Sequence, residues 1–113
     1  MEFDELITSP ARLRIVAALV PGETLAFTDL KRATGLADGN LHVQARKLAE
    51  AEYIVITKES RGKRSLTLFR ITELGLESLR LHVRKLQNIV AMESGEIRPK
   101  PASGGSDPSQ VWR

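Results

Sequence analysis

Apolar residues along this chain change their period twice, marking helices first, then strands, then a helix again. Behind Ser9-Pro10, Leu13, Val16, Ala17 and Val20 fall at offsets of 0, 3, 4 and 7, one face of a helix that Pro21-Gly22 ends. Ser9 is placed to cap an orphan N–H, and Pro10 at the first helical position loses no hydrogen bond. Thr28 is placed to cap a short second helix, Asp29 to Thr34, with Gly35 as the left-handed residue that stops it. Asp38 is placed to cap a third helix, running to about Ala51, whose inward positions are Leu41, Ala45 and Leu48. From Tyr53 the period becomes two. Tyr53 to Lys58 is rich in β-branched residues, and Ser65 to Ile71 alternates Leu66, Leu68 and Arg70 with Thr67, Phe69 and Ile71. Between them Ser60-Arg61-Gly62-Lys63-Arg64 predicts a hairpin turn.

Thr72 caps a last helix, with Ile71 and Leu76 placed as a hydrophobic staple across its first turn. Within it Leu76, Leu79, Val83, Leu86 and Val90 follow intervals of 3, 4, 3 and 4, a seam for a partner helix. Leu74 and Leu81 form a second stripe, so one stripe is expected on the domain itself and the other against a second chain. Drawn from Thr72 to Met92, this helix would be about 31 Å long. That is long for a small domain and favours a homodimer. From Ser94 onward, Pro99, Pro101, Gly104-Gly105 and Pro108 among scattered serines predict a disordered tail. The expected division is one domain over residues 1–93, including a dimer helix over about 72–92, and a tail over 94–113.

Composition narrows the function classes. The chain has 113 residues, which suits one domain, and it has no cysteine. Disulfides, thiolate metal sites and cysteine nucleophiles are thereby excluded together. The acidic start Met1-Glu2-Phe3-Asp4-Glu5 does not read as a signal peptide, and no apolar run approaches the ~18 residues of a membrane span. A cytoplasmic protein without a membrane partner is expected. The net charge of +3 says little until it is located. Residues 1–53 hold six basic and eight acidic side chains, whereas residues 54–71 hold five basic residues against Glu59 alone. The basic excess therefore lies on the predicted hairpin.

Two helices joined by a short Gly-containing turn form a helix-turn-helix pattern, whose second helix can enter the DNA major groove. Its outward face here carries Asn40, His42, Val43, Arg46 and Lys47. Asn pairs with adenine, Arg and Lys with guanine or phosphate, and Val43 suits a thymine methyl. Arg61, Lys63 and Arg64 surround Gly62 at the hairpin tip, with Lys58 at its base, a set suited to phosphate or the neighbouring minor groove. His42 and His82 lie far apart, and no nucleophile motif, Gly-rich phosphate loop or metal-ligand spacing occurs. No enzyme activity, metal or cofactor is expected. The rival reading is a protein–protein interaction module without DNA readout. It would expect an apolar or acidic third helix and a neutral wing, opposite to this chain, although Val43 and the acidic first half leave room for it.

Ser9-Pro10-x-Arg12, Gly35-Leu36-x-Asp38-Gly39-Asn40-Leu41, Arg46-Lys47-Leu48, Arg61-Gly62-Lys63-Arg64 and Thr72-x-x-Gly75 also resemble a known family. They look like the small winged-helix DNA-binding domains of bacterial and archaeal regulators, relatives of the MarR and ArsR regulators, over roughly residues 4–90. The resemblance implies an α+β, mainly helical winged helix-turn-helix with a two- or three-stranded antiparallel wing and a long C-terminal dimerisation helix. It implies a homodimeric transcriptional regulator of double-stranded DNA, with Asn40, His42, Val43, Arg46 and Lys47 facing the groove. Arg61, Lys63 and Arg64 would contact the backbone, and a small-molecule effector between dimer helix and domain is compatible with the sequence. Three departures stand out. Glu52 occupies a place usually held by Gly, Ala45 one that is commonly Leu, and the cysteine ligands of metal-sensing relatives are absent.

Overall fold

The computed structural model of the chain describes residues 4–97, with side chains over residues 4–92. Its elements are α1 (Glu5–Thr8), α2 (Pro10–Leu19), β1 (Leu25–Ala26), α3 (Phe27–Thr34), α4 (Asp38–Glu50), β2 (Ile54–Arg61), β3 (Arg64–Ile71) and α5 (Glu73–Ile97). The third helix of the sequence pattern is thus α4. The chain divides into two units, one ending at His82 and one beginning at Val83. Residues 98–113, most of the stretch expected to be a disordered tail, lie outside the described residues.

α1 is one turn long, too short for periodicity to mark it. Asp4 caps it by accepting from the Leu6 N–H at 3.0 Å, and it buries Ile7. α2 begins as expected, with Ser9 accepting from the Arg12 N–H at 3.5 Å and Pro10 in the first turn. Its buried face is not the expected one. Ile15, Val16 and Leu19 are buried, whereas Ala17 and Val20 are exposed and Leu13 is half-buried. The chain offers two stripes of the same spacing one residue apart, and the one that faces the core starts at Arg12. Arg12 tolerates that place because its guanidinium donates to the Leu6 carbonyl at 2.6 Å and to Gln44 Oε1 at 2.6 Å. Burial of Ile15 and Leu19, each about 1.5–3 kcal/mol, outweighs keeping one cation in water.

Two expected caps are absent. α3 starts two residues early at Phe27, fed directly by β1, and Ala26 precedes it without a side-chain cap, so Thr28 lies inside the first turn. α4 likewise starts after Ala37, and Asp38 is its first residue. The Asp38 carboxylate is instead drawn to Lys31 Nζ at 2.6 Å across the turn between α3 and α4. That turn is shaped by Gly35, at φ +73°, whose N–H donates to the Lys31 carbonyl at 2.8 Å. Thr34 is buried beneath it, donating to the Leu30 carbonyl at 2.9 Å and accepting from the Leu36 N–H at 3.3 Å. Leu41, Ala45 and Leu48 seat α4 on the core as the spacing predicts.

α4 ends in a Schellman motif: the Glu52 N–H reaches the Ala49 carbonyl and the Tyr53 N–H the Leu48 carbonyl, both at 2.9 Å. Glu52, at φ +66°, holds the left-handed position that glycine usually fills. β2 and β3 then pair antiparallel from Ile54↔Ile71 to Arg61↔Arg64, and β1 adds to the other edge of β3. The hairpin is therefore part of a three-stranded sheet of order β1-β3-β2. Ile54, Phe69 and Ile71 face the core from it, and Phe69 is the largest fully buried side chain.

Thr72 caps α5, accepting from the Gly75 N–H at 3.0 Å while its single hydroxyl proton is shared between the Glu52 carbonyl at 2.7 Å and the Tyr53 carbonyl at 3.0 Å. Gly75 is buried there, and any Cβ would collide with the Tyr53 carbonyl oxygen. Leu76 and Leu79 pack against the core of the chain's own first unit. Two members of the expected dimer seam are thus partly covered by their own domain. In the same unit Leu74 and Leu81 stay exposed. In the second unit Val83, Leu86, Ile89, Val90 and Met92 are exposed.

Candidate nucleic-acid interface

On α4, Leu41, Ala45 and Leu48 point into the core, which leaves Asn40, His42, Val43, Arg46 and Lys47 outside. All five are exposed, and Val43 keeps 48 % of its surface in water although it is apolar. They are not equivalent. His42 is held by α3: its ring stacks on Phe27 at 4.4 Å between centroids and 18° between planes. Phe27 in turn lies 6.2 Å from the buried Phe69 of β3. A stack of this kind adds about 0.5–1.5 kcal/mol beyond simple burial and fixes where the imidazole edge points. Asn40 accepts a hydrogen bond from Gln44 Nε2 at 3.0 Å, one turn along the same helix. Val43, Arg46 and Lys47 project from the same outward face.

The hairpin turns through Gly62 and Lys63. Gly62, at φ +63°, supplies the positive dihedral that a two-residue hairpin turn demands at its first position. This turn places Arg61, Lys63 and Arg64 together at the tip, all exposed. Arg61 reaches Glu59 Oε1 at 3.2 Å, an exposed pair of little energy that a stronger anion would displace. Lys58 is exposed three residues before Arg61 on β2.

α4 and the sheet are brought together along an open cleft of about 500 Å³. His42, Ala45 and Arg46 line it from α4, and Ile56, Lys58, Thr67 and Phe69 from β2 and β3. Two cations distant in sequence, Arg46 and Lys58, thus border one depression with an apolar floor. Periodicity carries no signal for three other residues around α4. Gln44 and Arg12 form a hydrogen-bonded chain behind Asn40, and Phe27 carries His42. Only the fold brings them there; the single hint in the sequence is that Asn40 and Gln44 stand four residues apart. Among the described residues no group of His, Asp or Glu side chains is arranged to hold a metal ion. Among them, too, no helix is long and apolar enough to cross a membrane.

A helix seated on the core by its neighbour, an outward polar face and a basic hairpin beside it together make a winged helix-turn-helix. Residues 11–90 match the family described as winged helix DNA-binding domain. The chain belongs to that family. Solved winged helices share its fold. A transcriptional regulator homologue from Pyrococcus horikoshii OT3 superposes with a TM-score of 0.73 at 23 % identity, over 80 % of this chain and 89 % of that one. A MarR-family transcriptional regulator from Porphyromonas gingivalis W83 superposes with a TM-score of 0.62 at 16 % identity, over 76 % and 82 % of the two chains. NadR, solved with 4-hydroxyphenylacetate, superposes with a TM-score of 0.58 at 18 % identity, over 83 % and 69 %. At these identities the likeness is one of fold. No curated protein matches the sequence.

Proposed function

We propose that this winged helix is a sequence-specific regulator of transcription that binds double-stranded DNA as a homodimer. The observation that carries the reading is the pairing of two exposed surfaces. The outward face of α4 presents Asn40, Val43, Arg46 and Lys47, and the hairpin beside it presents Lys58, Arg61, Lys63 and Arg64. In this reading α4 lies in the major groove, and the hairpin tip rests on the phosphates or in the adjacent minor groove. His42 serves from the groove-facing side of the cleft, its ring braced by Phe27.

The second chain is proposed to meet this one along α5. With Leu76 and Leu79 packed on their own core, the contact rests on Val83, Leu86 and Val90, all exposed. Two-fold symmetry would set two recognition helices about 34 Å apart, on successive major grooves, so the operator should be an inverted repeat. The 4-hydroxyphenylacetate held by NadR motivates a small aromatic acid as effector here, and a thermal shift on adding such acids checks it.

Selection of bound sequences from random duplex DNA tests the whole reading. Enrichment of an inverted repeat is the expected result. No enrichment, together with no duplex binding at micromolar protein in low salt, would overturn it. That outcome would leave the protein–protein interaction module as the better account of the exposed Val43.

A further inference from the structure

The polar chain behind α4 decides which way Asn40 faces. Arg12 Nη1 lies 2.6 Å from the Gln44 side chain, and a guanidinium has donors only. The Gln44 atom it touches must therefore be the carbonyl oxygen Oε1. The amide's other atom is then Nε2, a donor, and it lies 3.0 Å from Asn40. Asn40 must meet that donor with its own carbonyl oxygen Oδ1. One charged group thus fixes the orientation of two successive amides, which otherwise flip freely.

Arg12 is itself held. Its Nε donates to the Leu6 carbonyl at 2.6 Å and its Nη2 to the Glu5 carbonyl at 3.4 Å, so α1 anchors the guanidinium that orients Gln44. The result is that Asn40, in the first turn of α4, presents Nδ2 to the outside. Recognition helices offer their N-terminal residues to base edges. The bidentate contact of Asn with adenine needs both its oxygen and its nitrogen, whereas guanine shows two neighbouring acceptors, N7 and O6.

We propose that Arg12 and Gln44 are positioning residues that turn Asn40 into a donor, so that the base read at the start of α4 is guanine and not adenine. The proposal rests on the DNA-binding reading above.

Gln44→Glu tests it while keeping the size of the side chain. A carboxylate has acceptors only, so one oxygen takes Arg12 and the other takes Asn40 Nδ2. Asn40 must then flip and present Oδ1, which suits the N4 amino group of cytosine or the N6 amino group of adenine. Two measurements are made on the full chain. Without DNA, ¹⁵N spectra of side-chain amides should show slowed solvent exchange at Gln44 in the wild type, and at Asn40 in Q44E. With DNA, selection from random duplexes should return guanine at one position of each half-site for the wild type. For Q44E that position should change to cytosine or adenine, a shift in base preference of about tenfold. Gln44→Met, which cannot relay, should flatten the preference there without inverting it.

Unchanged amide exchange at Asn40 in Q44E would overturn the relay. Reversed exchange with the same selected base would overturn its role in readout. A wild type with no base preference at that position would overturn this proposal, and one that also binds no duplex at low salt would overturn the DNA-binding reading with it.

Discussion

Glu52 sits at φ +66° between two structures that need the chain to turn there, the end of α4 and the start of β2. A side chain in the left-handed region crowds its own backbone, at a cost of about 1 kcal/mol that glycine avoids. Glu52→Gly should therefore raise stability by about 1 kcal/mol. In urea unfolding the midpoint should rise with the slope unchanged; an equal or lower midpoint would count against strain at this position. Its neighbour Tyr53 is tied to the other end of the unit, donating its hydroxyl to Asp4. Burial, and then the Asp4 carboxylate, push the Tyr53 phenol above its usual value of 10.0, with Ser78 opposing. The folded state thus holds this proton more tightly than the unfolded chain does. The stability it contributes is complete below about pH 10 and is lost as pH rises through the raised folded value. Tyr53→Phe should remove that alkaline loss of stability, followed by thermal melting across about pH 9 to 11. Asp38 and Thr28 show why single polar residues mislead. Both are good cap residues in good places, but Lys31 claims the first and an earlier helix start bypasses the second.

At the scale of elements, the hairpin is the most legible part of the sequence, because alternation and a Gly turn fix register and tip together. Its proposed role is electrostatic, and that gives a measurable slope. The double change Arg61→Ala and Arg64→Ala should weaken binding to all duplexes alike. The dependence of log K on log salt should flatten by about 0.9 for each phosphate that the wing no longer neutralises. An unchanged slope would remove the wing from the interface. In α2 two stripes of equal spacing compete, and hydropathy alone favours the one that starts with Leu13. The stripe that starts with Arg12 wins because Ile15 and Leu19 are buried while hydrogen bonds to α1 and α4, neither visible from within α2, satisfy the guanidinium. α1 itself, a single capped turn, is shorter than any period that could announce it.

For the molecule as a whole, the proposed dimer rests on residues that folding leaves in water. Val83→Glu with Leu86→Glu should give a folded monomer by light scattering and weaken binding to an inverted repeat far more than binding to random duplex. A dimer that persists would send the search for the contact elsewhere. Leu79→Glu is a poor substitute, since Leu79 packs on its own core and its loss would report on folding. Much of this architecture is written in the sequence. Helix order, the αL stop at Gly35, the inward residues of α4, the hairpin and the Thr72 cap all depend on contacts within a few residues, and local spacing records them. So does the uneven charge that marks the hairpin as basic. Tertiary structure alone decided which stripe of α2 is buried, that His42 lies on Phe27, that Asp38 serves Lys31, and that Arg12 and Gln44 turn Asn40. Each of these is a choice between partners of similar local merit. It is made by side chains from elements that meet only when the core closes.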